Sequence, residues 1–319
     1  MIAAGETLEV IRMGKRAVAQ RPAGRVARRR RRAWTPIAFV APAALVLLAI
    51  TIFPLLYTLR LTLYSWELTG GGVPQFVGLQ NFATILFQDG RFWNAGRNTA
   101  LLVVFGVGSQ LVLGLVLALL MNRLGRWRSL LVSLLLIPVM IAPVVSGFQF
   151  RMIYNDQLGP LNYLLALVGI RGPAWLADPR AALIAIMIAD IWQWTPFLIM
   201  IILAGLQSVS HEMLEAAAID GANRWQSFWR ITLPMLTPVI VIGVLVRVMD
   251  SFKLFDLVYQ LTGGGPGNTT ETLAFYTYLQ GFKFFSLGYT AALAFIQLVV
   301  ITMIAQLFLA FQKRQRQEV

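Results

Sequence analysis

Three ionisable side chains lie within strongly apolar stretches of this sequence. Asp190 interrupts one such stretch, and Arg247 and Asp250 interrupt another further along the chain. Because burying a charge away from water is costly, ionisable residues in this setting indicate a functional site. Arg247 and Asp250 are also spaced i, i+3, so they could simply pair and neutralise each other. The residues alone leave open whether Arg247 binds a ligand or only Asp250.

The charged positions belong to two helical faces that also carry polar and aromatic side chains. The first face has the spacing i, i+3, i+4, i+7 and consists of Asp190, Gln193, Trp194 and Phe197. The second consists of Arg247, Asp250, Ser251 and Leu254. Hydrogen-bonding groups beside an aromatic plane suit a polar ligand. Trp192 flanks the same stretch as Trp194, and we expect one of these two indoles to serve packing only.

No catalytic constellation accompanies these faces. The sequence has no cysteine and one histidine, His211, which argues against thiolate chemistry and against a histidine-based zinc site. The Gly14-Lys15 pair is followed by Arg16 and is not a P-loop, and no H-E-x-x-H or G-x-S-x-G motif occurs. We therefore expect no enzyme and no cofactor or metal in this chain. Any uphill movement of a ligand would draw its energy from another chain or from an ion gradient.

The composition is typical of an integral membrane protein. Of 319 residues, 58% are hydrophobic and 13% are charged, against about a quarter charged in soluble domains. The net charge of +13 does not indicate nucleic-acid binding, because the basic residues flank apolar segments and form no stripe with interleaved aromatics. The uncharged stretch of residues 34–59 is longer than a signal-peptide core of roughly 7–15 residues and long enough for a span.

Six apolar segments are long enough to cross a membrane as helices, which predicts an all-α membrane protein. The segments lie near residues 36–58, 98–122, 129–150, 181–206, 233–256 and 285–311. Residues 1–33 are basic and are predicted as a flexible tail before a six-span domain of residues 34–319. Pro138, Pro143 and Pro196 fall inside apolar segments, so the backbone groups that they free need partners in protein or water.

The basic residues also predict an orientation. The short loop of residues 123–128 carries Arg123, Arg126 and Arg128, and both ends of the chain are basic. With six spans these regions lie on one side, together with the loop of residues 207–232. The positive-inside rule makes that side cytoplasmic, so both termini are predicted to be cytoplasmic.

An amphipathic stretch joins the fourth and fifth apolar segments. Residues 215–234, EAAAIDGANRWQSFWRITLP, begin as a helix, break at Gly221 and resume with an aromatic face that includes Trp225 and Trp229. Pro234 is expected to open the next span, where a missing N–H costs little. The residues alone allow a helix-turn-helix that docks on another protein, or an interfacial helix whose aromatics dip into lipid headgroups.

The same stretch resembles the EAA loop of ABC importer permeases at every signature position. The matching residues are Glu215, Ala216, Ala217, Asp220, Gly221, Ala222, Phe228, Ile231, Leu233 and Pro234. The resemblance implies a type I ABC importer permease fold, with coupling helices in residues 209–234 that dock on a cytoplasmic ATPase subunit. It further implies that Glu215 contacts a basic ATPase residue and that Gly221 is the hinge. ATP and Mg would bind to that partner chain.

Two more stretches resemble the carbohydrate-uptake branch of these permeases. RVMDSFKLFDLVYQLTGGGPGNTTETLAFYTY, which begins at Arg247, and FVGLQNF, residues 76–82, are similar to permeases of maltose-, trehalose-, glycerol-phosphate- and polyol-type importers. Together with the six spans they look like the maltose-permease F-type subunit. The resemblance covers the chain from residue 36. It implies a bacterial inner-membrane protein whose partners are a second permease subunit, two ATPase subunits and an external solute-binding protein.

The resemblance also assigns roles to the polar faces. A midmembrane sugar site would be lined by Asp190, Gln193, Trp194, Phe197, Arg247, Asp250 and Ser251. Asp190, Gln193 and Trp194 would offer hydrogen bonds and an aromatic plane to a sugar, and a partly free Arg247 would suit an anionic one. The binding protein would contact Gly263, Gly264, Gly265 and Pro266, unless these residues form only a tight turn. Further apolar contact area would come from Trp66, Phe76, Phe82 and Tyr154.

The predicted function is therefore sugar import by alternating access, driven by ATPase subunits through the EAA loop. A self-sufficient ion-coupled transporter is the alternative, because Asp190, Arg247 and Asp250 would permit ion coupling. The intact EAA signature argues against it. A membrane-embedded enzyme would need a catalytic constellation, and the sequence has none.

Overall fold

A computed structural model describes residues 25–69 and 71–317, which form two units, residues 25–57 and the remainder. The first unit is most of one long helix, α1 (Arg25–Leu61), whose part Ala38–Leu61 is long and apolar enough to span a membrane. Residues 25–33, part of the predicted tail of residues 1–33, are helical. The remaining tail residues, 1–24, lie outside the described part.

The second unit consists of helices and one small hairpin. After α1 the elements are β1 (Tyr64–Ser65), β2 (Gln75–Phe76), α2 (Gln80–Phe87), α3 (Gly90–Leu101), α4 (Gly108–Met121), α5 (Trp127–Met140), α6 (Pro143–Ile153), α7 (Pro160–Leu167), α8 (Pro179–Gln207), α9 (His211–Ile219), α10 (Arg224–Ser227), α11 (Leu233–Ser251), α12 (Asp256–Leu261), α13 (Leu273–Tyr278) and α14 (Leu287–Gln317). Wider π-helical turns are Leu102–Val107, between α3 and α4, Phe228–Thr232, between α10 and α11, and Leu279–Lys283, after α13.

Five helices in the described residues have the length and composition of membrane spans, and they correspond to five of the six predicted segments. They are Ala38–Leu61, Gly90–Met121, Pro179–Gln207, Arg224–Ser251 and Leu287–Ala310. The second span begins earlier than predicted because α3, the π turn and α4 run on as one helix from Gly90. Asp89 caps that helix, accepting bonds from the N–H groups of Arg91 and Phe92.

The third predicted span, residues 129–150, is not one helix but two, α5 and α6, which meet at 93°. Neither part alone provides the roughly 20 residues that cross a bilayer core. The sequence PVMIAP, residues 138–143, favours a break at this place. A residue before proline avoids the α region, so Ala142 is extended with ψ 135° and Pro143 starts a new helix at its first turn. A count of six spans holds only if this bent pair is taken as one.

The fifth predicted span, residues 233–256, differs at both ends. A continuous helical run starts at Arg224 and ends at Ser251, so Lys253 and Leu254 lie beyond it. Within this run α11 begins at Leu233, with Pro234 in its first turn as predicted. Only Leu233 separates Pro234 from the π turn Phe228–Thr232. The wider π turn lets a residue with no N–H continue the helix, which proline would otherwise break or kink.

The core of the second unit lies around α8. In one cluster Ala118 of α4 and Leu236 of α11 pack with Leu198 and Ile202 of α8, and all four are fully buried. In a membrane such contacts stabilise through van der Waals packing and close approach, since lipid tails are as apolar as the side chains. Helix α8 is therefore fixed on several sides, and the polar residues that it carries are held in defined positions.

Two ends of this unit can be distinguished by their elements. At the hairpin end, β1 pairs with β2, and the N–H of Leu287 at the start of α14 donates to the carbonyl of Trp66 (2.9 Å). At the same end Arg91 of α3 forms a two-bond ion pair with Glu271 (2.7 and 2.5 Å). At the other end, the α9 end, lie α9, the end of α8 and the short turn between α4 and α5.

Candidate functional site

A buried polar group joins α4, α8 and α11. Its centre is the guanidinium of Arg247, of which 2% is exposed. One terminal nitrogen, Nη2, donates to both carboxylate oxygens of Asp190 at 3.2 and 3.1 Å. The other, Nη1, donates to Asp250 at 3.1 Å, and Nε donates to Gln110 at 2.9 Å. Ser251 also accepts from Nη2 at 3.3 Å, so each nitrogen of the guanidinium has a partner.

The sequence analysis left open whether Arg247 only pairs with Asp250. Both residues do pair, but the carboxylate of Asp250 is 42% exposed, whereas that of Asp190 is 4% exposed. A bond between two desolvated charges is screened less by solvent than a bond to an exposed carboxylate. Asp190, 57 positions away in sequence, is therefore the principal buried partner of Arg247.

Gln110 belongs to this group and was not singled out from the sequence. Its side-chain nitrogen donates to Asp190 Oδ2 at 2.7 Å, while its oxygen accepts from Arg247, so one amide bridges the two charges. The amide is fully buried. The sequence could have identified it, because Gln110 is a polar residue within the apolar segment of residues 98–122, and Asp190 was singled out for the same reason.

The two aromatic residues predicted on the α8 face lie beside this group. The Arg247 guanidinium lies over the Trp194 ring, 4.7 Å from its centroid, which is a cation–π contact. Phe197 meets Trp194 edge to face at 6.5 Å. Trp192 instead packs edge to face on Phe150 of α6, at 5.2 Å. Of the two indoles, Trp194 therefore belongs to the polar group, and Trp192 contributes to packing.

The side chain of Gln193 contacts the break between α5 and α6. Its side-chain nitrogen donates to the carbonyl of Ile141 at 2.9 Å. This is the kind of partner expected for backbone groups that prolines free inside an apolar segment. The amide oxygen of Gln193 is buried and has no partner among the described residues, and the same holds for the hydroxyl of Ser146 on α6. Buried polar atoms without partners are rare and costly, so they indicate a place for a bound molecule or water.

The predicted coupling stretch forms a hydrogen-bonded corner at the α9 end. Helix α9 ends in a Schellman motif: the N–H of Ala222 donates to the carbonyl of Ala217 (2.9 Å), and that of Gly221 to Ala218 (3.1 Å). Gly221 has φ +82°, which only glycine adopts readily. Asn223 then caps α10 through a reciprocal bond with Gln226. Gly221 is thus the turning point of a corner that these hydrogen bonds close.

The surface of this corner is largely unpaired within the described chain. No residue of α9, α10 or the following π turn is buried. Glu215, Ala216 and Asp220 are exposed, and 87% of Ile219 is exposed. Trp225 and Trp229 contact each other at 5.6 Å and are 69% and 50% exposed. An apolar side chain exposed to this extent marks a surface for protein or membrane contact.

Among the remaining coupling residues, exposure is mixed. Pro234 is exposed, whereas Ala217, Ala222, Phe228, Ile231 and Leu233 are half-buried. The predicted second short helix is not separate, because residues 224–251 form one helix. The corner is therefore joined directly to α11, which carries Arg247 at its other end.

The glycine-rich loop at the hairpin end is a compact turn. Gly263, Gly264 and Gly267 have positive φ, and a Cβ on Gly264 would lie 2.6 Å from the Phe275 ring. The side-chain nitrogen of Asn98 on α3 donates to the carbonyls of Thr269 and Glu271, both at 2.9 Å. Tight turning accounts for these glycines, and a contact role remains a prediction for the exposed Gly263 and for Gly265 and Pro266.

The residues expected to add apolar contact area at that end differ in their exposure. Phe76 is 69% exposed, and Trp66 and Phe82 are half-buried. Tyr154 is 2% exposed and donates its hydroxyl proton to the carbonyl of Ala185 (3.1 Å). Tyr154 is thus a core residue, and its inclusion among surface contacts was wrong. Burial also raises the pKa of its hydroxyl.

A second polar cluster, not expected from the sequence, lies at the hairpin end around Asp89. Its Oδ2 accepts bonds from the hydroxyls of Tyr276 (2.6 Å) and Tyr289 (2.5 Å). Burial acts to raise the pKa of Asp89, but these bonds and its two backbone bonds outweigh it and hold the pKa below the ordinary value. Burial and the bond to Asp89 raise the pKa of Tyr276 to about 12. The cluster lines a cleft of about 580 Å³.

Taken together, the fold and these sites define a multi-span helical membrane protein with a charged group buried among its helices and an exposed amphipathic corner at one end. Residues 110–317 match the family described as binding-protein-dependent transport system inner membrane component. The chain belongs to that family.

The similarity to named relatives covers most of the chain. It is 40% identical to a probable ABC transporter permease protein, y4oQ, of Sinorhizobium fredii, over 89% of this chain and 93% of the relative. It is 34% identical to the trehalose/maltose transport system permease protein MalF of Thermococcus litoralis, over 78% and 82% of the two chains. It is also 34% identical to the sulfoquinovosyl glycerol transport system permease protein SmoG of Agrobacterium fabrum, over 86% and 88%.

A solved structure shares the fold. A chain of a bacterial ABC transporter involved in the import of the acidic polysaccharide alginate superposes with a TM-score of 0.77, covering 91% of this chain and 99% of that chain. Sequence identity is 23%. This likeness is consistent with the predicted type I ABC importer permease fold.

Proposed function

We propose that this protein is a permease subunit that carries a sugar or polyol through the membrane in an ATP-driven, binding-protein-dependent importer. Family membership and the names of the sugar-transport relatives support the class of substrate. The observation that carries the proposal is the buried group of Arg247, Asp190 and Trp194. Gln193, on the same helix α8, adds an amide oxygen that has no partner among the described residues.

The substrate site consists of the predicted residues Asp190, Gln193, Trp194, Phe197, Arg247, Asp250 and Ser251. Asp190 lies 11 residues into α8, about 16 Å from its start, which is roughly half of a 30 Å bilayer core. The free amide oxygen of Gln193 and the half-exposed carboxylate of Asp250 accept hydrogen bonds from sugar hydroxyls. The half-buried ring of Trp194 provides an apolar plane for the C–H face of a sugar.

The charge of this group favours an uncharged substrate. Arg247 faces two carboxylates, those of Asp190 and Asp250, and each of its nitrogens already donates to a partner. With both carboxylates ionised, the group has one negative charge in excess. An anionic sugar would meet repulsion in a setting where charges are weakly screened. A neutral sugar or polyol fits better than the anionic substrate that a partly free Arg247 would have suited.

The corner of residues 211–227 couples the permease to an ATPase subunit. Glu215 supplies an acidic contact, and the exposed Ile219 and Trp225 supply apolar area. Because helix 224–251 runs without interruption from the corner to Arg247, a push on the corner reaches the substrate site through one rigid element. Alternating access then follows from two arrangements of the spans. ATP and Mg bind to the partner chain, and this chain has no enzymatic role.

The assembly has further partners. A second permease subunit completes the pathway over two ATPase subunits. The hairpin end, with Gly263, Gly265 and Pro266, receives an external solute-binding protein. The α9 end and both termini face the cytoplasm, in agreement with the positive-inside rule for Arg123, Arg126 and Arg128, and the protein resides in a bacterial inner membrane.

Glu215→Lys tests the coupling. In membranes containing the partner subunits, we expect this charge reversal to abolish ATP-driven sugar uptake while the amount of inserted protein stays unchanged. Glu212→Lys, on the same exposed helix, makes the same charge change and should leave most uptake intact. Full uptake by Glu215→Lys would overturn the docking role. Uptake that needs no ATPase subunit and stops with an ionophore would favour the ion-coupled alternative.

A further inference from the structure

A cleft at the α9 end combines two arginines with an apolar wall. It has a volume of about 430 Å³ and lies between the α4–α5 turn and the last two turns of α8. Its lining residues are Gly125, Arg126, Arg128, Ser129, Val132, Met200, Leu203, Ala204 and Gln207. The substrate group and the coupling corner use none of these residues.

The lining changes from polar to apolar in step along both helices. On α5, Arg128 and Ser129 come before Val132, one turn further into the helix. On α8, Gln207 lies at the end, and Met200 lies seven residues further in, about 10 Å at 1.5 Å per residue. The cleft thus follows the gradient between a headgroup layer and an acyl layer, with its polar rim at the end of two apolar helices.

The two arginines have no acidic partner within residues 25–69 and 71–317. Three ion pairs occur there, those of Arg91 with Glu271 and of Arg247 with Asp190 and Asp250. The Arg126 guanidinium lies 5.6 Å from the centroid of the exposed Trp127 ring, an indole suited to the membrane interface. Two cations without an acidic partner at the rim of an apolar cleft suit an anion that also carries hydrocarbon.

We infer that this cleft binds an anionic phospholipid, with the phosphodiester between Arg126 and Arg128 and an acyl chain along Val132, Leu203 and Met200. Basic pockets between membrane helices on the cytoplasmic side bind acidic headgroups through this combination of charge and apolar contact. The lipid would brace the α4–α5 turn against the end of α8, the helix that carries Asp190 and Trp194. The inference does not depend on which substrate is transported.

Lipid retention by the full-length chain tests the inference. Protein purified in detergent is titrated with dioleoyl phosphatidylglycerol, dioleoyl phosphatidylcholine or inorganic phosphate, and bound lipid is counted by native mass spectrometry. We expect one phosphatidylglycerol to be retained in preference to phosphatidylcholine and to raise the unfolding midpoint. Arg126→Gln/Arg128→Gln should weaken its binding about fivefold for each arginine.

A matched control separates site binding from net charge. Arg123→Gln/Arg180→Gln removes the same two charges outside the cleft and should bind phosphatidylglycerol like the unaltered chain. Equal weakening in both double variants would overturn the site, as would equal retention of both lipids by the unaltered chain, a measurement that needs no variant. Stabilisation by inorganic phosphate alone, with no gain from lipid, would also overturn it. The site would likewise be overturned if Arg126→Gln/Arg128→Gln lost a co-purifying partner subunit while its lipid retention stayed unchanged.

Discussion

Arg247 Nη2 donates to both carboxylate oxygens of Asp190, at 3.2 and 3.1 Å, and this pair joins α11 to α8 in the interior of the protein. Removing one partner of a buried ion pair leaves an uncompensated charge, which costs about 3–5 kcal/mol. We expect Arg247→Gln to lower the free energy of unfolding by this amount, and Arg247→Gln/Asp190→Asn to recover part of the loss. Thermal unfolding of the four proteins of this cycle measures the coupling. Strictly additive losses would contradict it.

Asp250 provides the control for that cycle. Its carboxylate also accepts a bond from Arg247, but it is 42% exposed. Because exposed pairs contribute about 0–1 kcal/mol, Asp250→Asn should change the unfolding free energy by less than 1 kcal/mol. A loss as large as that of Arg247→Gln would show that the exposed carboxylate, and not Asp190, dominates the group.

Trp194 and Trp192 lie two residues apart on α8 and differ in their surroundings. Trp194 contacts the Arg247 guanidinium, whereas Trp192 contacts Phe150. We expect Trp194→Ala to raise the transport KM about tenfold, through the loss of an aromatic plane beside a cation. Trp192→Ala should lower the unfolding midpoint and leave KM unchanged. Uptake assays with the full importer measure both, and an unchanged KM for Trp194→Ala would assign that indole to packing.

A substitution at Gly221 tests whether the corner of residues 211–227 is rigid. Its φ of +82° is strained for any residue with a Cβ, at a cost of about 1 kcal/mol or more. Gly221→Ala should therefore speed hydrogen exchange of the amides of residues 211–227 and reduce ATP-driven uptake. Gly96→Ala is the control, because Gly96 lies in the helix α3 with open space around it, and alanine there favours the helix. Equal exchange in the two variants would contradict a rigid corner.

The lowered pKa of Asp89 predicts that its contacts at the hairpin end lose stability at acid pH. Its pKa in the folded protein is depressed, so the carboxylate form is stabilised by folding. This contribution is complete above the unfolded pKa of about 3.9 and is lost as the pH falls through that value towards the folded pKa. We expect the unfolding midpoint of Asp89→Asn to depend less on pH below about pH 4 than that of the unaltered chain. Parallel acid profiles would contradict this.

The raised pKa of Tyr276 predicts a loss of stability at alkaline pH. Its pKa is raised to about 12, so folding favours the protonated hydroxyl. That stabilisation is present below the unfolded pKa of about 10 and is lost as the pH rises from there to about 12. Tyr276→Phe should reduce the fall in stability over this window. Absorbance of tyrosinate, followed together with unfolding, measures it.

The class of protein, five of the spanning helices and the amphipathic stretch of residues 215–234 could be predicted from the sequence. These features depend on local composition: long runs without charge, the spacing of alanine, glutamate and glycine, and the flanking basic residues. Asp190, Trp194, Arg247 and Asp250 were also identifiable, because a polar residue in an apolar run stands out without knowledge of its partner.

Tertiary structure decided the partners and the breaks. That Arg247 binds Asp190 through a bridging Gln110 depends on how α4, α8 and α11 pack, and hydrogen bonds across 57 and 137 positions leave no local pattern. At the 93° bend Gln193 donates to the carbonyl of Ile141, and a π turn precedes Pro234 in the helix that continues through it. Prolines mark where a helix is weakened, but only the surrounding contacts determine whether it breaks.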